Sequence, residues 1–222
     1  MSYYYKLHKM KKILSYIPKG GRCIEIGVWK GEFAREILST CNIAELYLVD
    51  PWESIPDVPE RWHAAPQEQM DQIYQEVINN FLKNEKVKII RKFSKKACKI
   101  FDDDYFDWLY LDANHSYEFV KEDLKQWWPK IKLGGFFCGD DYQEGKYQVE
   151  VLDFGVVKAV DEFVKDNHDE IEFCEIHKDQ FIIKKKSHKK DKEDDKEEDE
   201  NDRGEMDKKW RNRWKKRGKN DD

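Results

Sequence analysis

The chain has 222 residues, 39% of them hydrophobic and 39% charged, with a formal net charge of −5. That length suits one domain with a substantial core and excludes two comfortable ones. No apolar run approaches the ~20 residues of a membrane span, and the five scattered cysteines, Cys23, Cys41, Cys98, Cys138 and Cys174, include no Cys-x-x-Cys pair. Reduced thiols in a cytoplasmic setting are therefore expected, rather than a disulfide framework or a zinc site. The opening Met1-Ser2-Tyr3-Tyr4-Tyr5-Lys6 has none of the parts of a secretory signal.

Taken in order, Tyr4 to Ile17 repeats apolar residues at helical spacing (Tyr4, Leu7, Met10, Ile13, Leu14, Ile17), within an N-terminal segment 1–20 that packs on one face or covers the site. Cys23 to Gly27 reads as a short buried strand, and Val28-Trp29-Lys30-Gly31 as a loop feeding a helix with Phe33, Ala34, Ile37 and Leu38 on one side. Ala44 to Val49 is a second strand, closed by Asp50-Pro51-Trp52, where Pro51 can supply no ladder donor. Ser54 to Pro66 is irregular and carries Trp62 and His63. A structureless stretch of that length is often a lid or substrate loop. Gln67 to Leu82 is an amphipathic helix, Val87 to Ile90 a third strand, and Ser94 to Ile100 a short helix.

Phe106 to Tyr142 organises the rest. Phe106 to Leu111 forms a strand ending in Asp112-Ala113-Asn114-His115, and Val120, Leu124, Trp127, Trp128 and Ile131 stripe one side of a helix. Lys132 to Gly135 turns the chain into Phe136 to Gly139, which ends in Asp140-Asp141-Tyr142. A right-handed βαβ unit delivers both strand ends to one edge of a parallel sheet. Asp112, Asn114, His115, Asp140 and Asp141 are expected to converge in the crevice beyond the strands, where open α/β sheets bind ligands. Gln143 to Asp153 is a further loop, Val156 to Val164 a helix, and Ile171 to Ile176 with Gln180 to Ile183 a closing antiparallel hairpin.

The expected architecture is an α/β Rossmann-like fold with about seven mostly parallel strands, occupying residues 1–184. Residues 185–222 are dense in charge and read as a disordered tail, in which Trp210 and Trp214 lie among Lys and Arg. Solubilisation is one use for such a tail. Contact with RNA or an anionic surface is another.

The Gly27 to Gly31 loop suits close approach of a ligand to backbone and helix N-terminus. It lacks the Gly-x-Gly-x-x-Gly spacing of a dinucleotide site, so NAD is disfavoured. Glu25 adds an acid before the loop, and Asp50 stands at the next strand end, where a carboxylate accepts from a ribose diol.

In this joint order, Glu25-Ile-Gly-Val-Trp-Lys-Gly31, Leu48-Val-Asp50-Pro-Trp52, Ser94, Asp112-Ala-Asn-His-Ser-Tyr-Glu118 and Gly134-Gly135 before Asp140-Asp141-Tyr142 resemble the class I S-adenosylmethionine-dependent methyltransferases. The likeness spans roughly residues 15 to 184. It is nearest to the macrocin-type sugar O-methyltransferases and more distant from catechol O-methyltransferase. It implies that Glu25, Gly27, Val28 and Gly31 face the methionine and ribose of S-adenosylmethionine, that Asp50 holds the ribose, and that Phe93 and Ser94 flank the adenine. It implies that Asp112, Asp140 and Asp141 bind a divalent metal, usually Mg²⁺, with Asp112 also beside the cofactor. His115 falls where catechol O-methyltransferase has its catalytic lysine. Asn114 replaces an acid found in some sugar-modifying relatives and cannot take a proton, so either His115 is the base or the metal alone activates the hydroxyl. The implied reaction is Mg²⁺-assisted O-methylation of a sugar or other small hydroxyl compound. An RNA- or protein-directed enzyme recruited by the tail, and a non-catalytic binding module, are the alternatives.

Overall fold

The structure, a computed structural model, describes residues 10–54, 65–143 and 155–188. The tail from Lys189, the Trp62–His63 loop and most of the Gln143–Asp153 loop lie outside the described residues, as does the first part of the N-terminal segment. Residues 10–14 are helical (α1). There follow β1 (Arg22–Ile26), α2 (Glu32–Thr40), β2 (Glu45–Asp50), α3 (Gln67–Phe81), β3 (Val87–Arg91) and α4 (Ser94–Ala97), which runs into a 3₁₀ turn at Cys98–Ile100. The second half comprises β4 (Phe106–Leu111), α5 (Tyr117–Trp127), β5 (Ile131–Gly139), α6 (Val156–Asp166), β6 (Ile171–His177) and β7 (Gln180–Lys185).

The strands form one seven-stranded sheet in the order β3-β2-β1-β4-β5-β7-β6. β1 to β5 pair in parallel, and β7 runs antiparallel to both β5 and β6. The fold is thus Rossmann-like, as expected. The chain leaves β1 outward through β2 and β3, then returns to the other side of β1 as β4. That reversal opens the crevice between the C-terminal ends of β1 and β4.

Central strands covered on both faces must be apolar throughout, and β4 obeys: Phe106, Trp108, Leu109, Tyr110 and Leu111 are all buried. On one face Trp108 and Tyr110 stack and meet Phe33 of α2, together with Ile13 and Leu14 of α1. On the other, Phe106 packs against Phe101 and Trp127. α3 buries Met70, Ile73, Val77 and Phe81, one stripe at helical spacing.

One segment departs from the sequence expectation. α5 stops at Trp127 and passes through a 3₁₀ turn at Trp128–Lys130, because Pro129 cannot extend the helix ladder. Ile131 then opens β5 opposite Phe106, so Lys132 to Gly135 lies inside the strand as a bulge, with Gly134 at φ +76°. Two adjacent glycines serve a bulge as well as a turn. Elsewhere among the described residues the bounds shift by at most three residues, as where α1 ends at Leu14 and α4 gives way to the 3₁₀ turn after Ala97.

Candidate active site

The crevice has two walls. On the β1–β2 side its shape comes from backbone. Gly27 follows β1 at φ +87°, and a Cβ there would lie 1.9 Å from the Asp112 carbonyl oxygen. Only glycine lets the β1 loop and the β4 end approach so closely. Asp50, at the end of β2, fixes the loop: its Oδ2 accepts from the N–H groups of Val28 (2.9 Å) and Trp29 (3.0 Å), and its Oδ1 from Trp52 N–H (2.8 Å). Trp29 and Trp52 both have positive φ, 52° and 42°. The buried Trp52 indole closes the arrangement by donating to Trp29 O at 2.9 Å. Gly31, at φ +69°, starts α2, whose first turn receives no side-chain cap. An uncapped N-terminus of this kind, faced by a glycine loop, suits an anionic ligand group.

On the β4–β5 side the wall is made of charge. His115 Nε2 lies 3.3 Å from Asp112 Oδ1 and 3.4 Å from Asp141 Oδ2. One ligand atom from each of Asp112, His115 and Asp141 falls within 4.8 Å of the others, and the same holds for Asp140, Asp141 and Asp179. Asp141 belongs to both groups and sits at φ +55°. Its N–H donates to Asp140 Oδ1 at 2.9 Å. Asn114 is occupied locally, its Oδ1 accepting from Ser116 N–H at 2.9 Å where α5 begins. Asp179 was not expected from the sequence. It lies in the β6–β7 turn, and its carbonyl accepts from Tyr142 N–H at 2.7 Å, which brings the antiparallel hairpin back beside β5. The hairpin itself was expected, but no spacing in the sequence announces that its turn lands beside Asp140 and Asp141.

Beneath these carboxylates runs a buried polar row. Glu25 (2% exposed), Tyr110 (1%) and Gln180 (0%) stand on β1, β4 and β7. Glu25 and Tyr110 pair in register, and Gln180 Nε2 donates to Tyr110 Oη at 2.9 Å. Burial first, then the fields of Asp140 and Asp112, hold the Tyr110 phenol well above its ordinary range, so it stays a hydroxyl.

Of the residues expected near the adenine, Phe93 caps α4 and Ser94 opens it. The Ser94 hydroxyl donates to Asp123 Oδ1 (2.5 Å) and accepts from Trp127 Nε1 (2.7 Å), linking α4 to α5. Burial pushes Asp123 up to about 7, against the opposing effect of the Ser94 bond.

Residues 24–142, more than half of the chain, match the methyltransferase domain family. The chain belongs to that family. It is a class I S-adenosylmethionine-dependent methyltransferase, and S-adenosylmethionine is its cofactor. No curated protein matches this methyltransferase. Among solved structures it is similar to the O-methyltransferase NovP, at 21% identity and a TM-score of 0.56, over 82% of this chain and 79% of that one. An O-methyltransferase from Bacillus cereus in complex with SAH gives 14% identity and 0.55, over 83% and 81%. Spermidine synthase from Thermotoga maritima gives 10% and 0.51, over 84% and 60%. These likenesses establish the fold. Among the described residues of this methyltransferase no helix is long and apolar enough to cross a membrane.

Proposed function

We propose that this methyltransferase transfers the methyl group to a hydroxyl oxygen of a sugar or another small molecule with the help of a divalent cation, Mg²⁺, and that its kinship is with the macrocin-type sugar O-methyltransferases. The observation carrying this is the convergence of Asp112, His115 and Asp141 on one point, flanked by Asp140, at the C-terminal ends of β4 and β5. A donor set dominated by hard carboxylate oxygens fits Mg²⁺. Asp112, Asp140 and Asp141 would hold the ion, as the resemblance implied, with Asp179 beside them. When bound, the ion supplies Lewis acidity that lowers the pKa of an acceptor hydroxyl.

The remaining work falls to the chain. Methyl transfer is an in-line displacement at a sulfonium carbon, and much of its acceleration is positioning. The Gly27–Gly31 loop, with Glu25 and Val28, takes the methionine and ribose end of the cofactor, and Phe93 with Ser94 borders the adenine. An ionised carboxylate has roughly four acceptor positions. Asp50 has committed three of them to backbone N–H groups, which leaves one for a ribose hydroxyl. His115 receives the acceptor's proton at Nε2, since the Asn114 amide beside it is held in its turn and cannot take one.

The test is transfer of labelled methyl from S-adenosylmethionine into a cell extract with Mg²⁺, fractionated into small molecules and glycans, nucleic acid, and protein. Label in the first fraction supports the reading. Label in RNA or protein overturns it in favour of recruitment by the basic tail, and truncation after Lys186 should then abolish that labelling. Asp112→Ala should lose metal-stimulated turnover while binding the cofactor nearly as wild type does. Full activity in excess chelator would remove the metal role.

A further inference from the structure

Helix α6 bonds to both turns that carry the clustered acids. Just before it, Gly155 donates its N–H to the His115 carbonyl at 2.9 Å. A Cβ on Gly155 would lie 2.3 Å from Tyr117 Cβ and 2.4 Å from Tyr117 Cα, so only glycine fits against the start of α5. The Tyr117 hydroxyl donates to Glu162 Oε2 at 2.5 Å, and Lys158 Nζ stands 4.1 Å from the centre of the Tyr117 ring. The turn after β4 is thereby fixed to α6.

The turn after β5 is held to the same helix through Tyr142. Its hydroxyl donates to Asp161 Oδ1 at 2.6 Å, and the two residues are only 5% and 4% exposed. Its N–H donates to the Asp179 carbonyl at 2.7 Å. Tyr142 is therefore tied at both ends, to α6 and to the β6–β7 turn. The residue before it is Asp141, whose left-handed backbone at φ +55° persists only where the surroundings enforce it. Packing alone asks for neither polar group, since a buried carboxylate is costly unless it is bonded. Their bond calls for a use beyond filling space.

We propose, on the basis of the metal reading of this site, that Tyr142 and Asp161 are positioning residues whose buried bond fixes the Asp141 turn on α6. Gly155 fixes the His115 turn on the same helix. In this way α6 sets the separation, 3.4 Å between Asp141 Oδ2 and His115 Nε2, at which the two turns face each other and Asp112 for a divalent cation. Neither Tyr142 nor Asp161 belongs to the cluster itself. They act through the peptide bond that joins Tyr142 to Asp141. Groups outside the ligand set that hold the ligands in place commonly carry a 10- to 100-fold share of metal affinity.

The experiment uses the full chain and Mn²⁺ as probe, with free ion followed by electron paramagnetic resonance well below the melting temperature, S-adenosylmethionine binding by calorimetry, and thermal melting. Tyr142→Phe keeps the ring and removes the bond. Its Mn²⁺ dissociation constant is expected to rise about 10-fold, with cofactor affinity unchanged. Asp161→Asn keeps an oxygen to accept from Tyr142 and should bind Mn²⁺ as wild type does. The control is Tyr105→Phe, which removes a hydroxyl paired with Tyr47 at 2.8 Å just before β4 begins, at the opposite end of that strand from the site. It should lower the melting temperature as Tyr142→Phe does and leave Mn²⁺ affinity alone. Wild-type Mn²⁺ affinity in Tyr142→Phe overturns the positioning role, and so does a rise of equal size in Tyr105→Phe, where affinity would merely follow stability. Asp161→Asn as weak as Tyr142→Phe also overturns it, since the charge and not the bond would then govern the ion. A wild-type chain that binds no Mn²⁺ overturns the metal reading itself, and the positioning role with it.

Discussion

The two walls of the crevice are made of different material. The β1–β2 wall is backbone shape: a glycine at φ +87°, two tryptophans at positive φ, and one carboxylate that ties three N–H groups. The β4–β5 wall is side-chain charge, with Asp112, His115, Asp140, Asp141 and Asp179 brought together by strand ends and a hairpin turn. Shape and fold cannot be separated on the first wall, because the groups that would receive the cofactor also hold the chain. On the second wall the carboxylates can be altered with the scaffold left standing. Substitutions on the two walls should therefore differ in kind.

The largest effect is expected at Gly27→Ala. The added Cβ meets backbone at 1.9 Å, not the end of a flexible side chain, and alanine disfavours φ +87° in any case. The variant should fail to give a cooperatively melting protein by circular dichroism, and a normal melt would show that the β1 and β4 ends can part. Asp50→Ala comes next. Hydrogen bonds to a charged group contribute roughly 1.5–3 kcal/mol each, so losing three, with Trp29 and Trp52 released, should cost several kcal/mol. Urea unfolding and cofactor calorimetry should both register the loss. Cofactor affinity lost with stability intact would separate binding from scaffolding at this carboxylate.

Asp141→Asn tests the other wall and should behave oppositely. Asparagine tolerates φ +55° as aspartate does, and removing one of several clustered negative charges relieves repulsion. Metal-free stability should hold or rise slightly, while Mg²⁺-stimulated turnover falls at least about 10-fold, the scale on which groups around a metal act. A variant that unfolds like Asp50→Ala would erase the distinction between the walls.

This distinction also explains what the sequence could reveal. Gly27, Gly31, Asp50 and the acids after β4 and β5 were legible because strand ends and glycine loops are local patterns, fixed within a few residues. That most strands run parallel followed from alternation of strands and helices, whereas their order in the sheet is seen only in the structure. Asp179 and Gln180 were not legible, since an antiparallel return places them beside Asp140 and Asp141 through pairing, not spacing. The Lys132–Gly135 segment misled because glycine pairs suit bulges and turns alike. Ser94 was expected at the adenine on resemblance. The engagement of its hydroxyl with Asp123 and Trp127 depends on how α4 meets α5, which neither helix encodes alone.

The Ser94 network gives the smallest effect, visible only as a difference between two pH values. Asp123 is 6% exposed, and burial raises its carboxyl to about 7, whereas an unfolded aspartate titrates near ~3.9. Between those values the folded chain keeps a proton that the unfolded chain has released. The associated stability is fully present below the unfolded value and is lost as pH rises through the folded one. Each tenfold difference in proton affinity corresponds to about 1.4 kcal/mol, so wild type should lose on the order of 2 kcal/mol from this group between pH 5 and pH 8. Asp123→Asn keeps an oxygen to accept from Ser94 and has no proton to lose. Its urea midpoint should fall less over the same interval, with the variant gaining on wild type as pH rises. Parallel curves for the two proteins would mean that Asp123 is ionised in the fold with a cation or solvent beside it. The α4–α5 contact would then hold a charge, and not belong to the neutral packed frame of the domain.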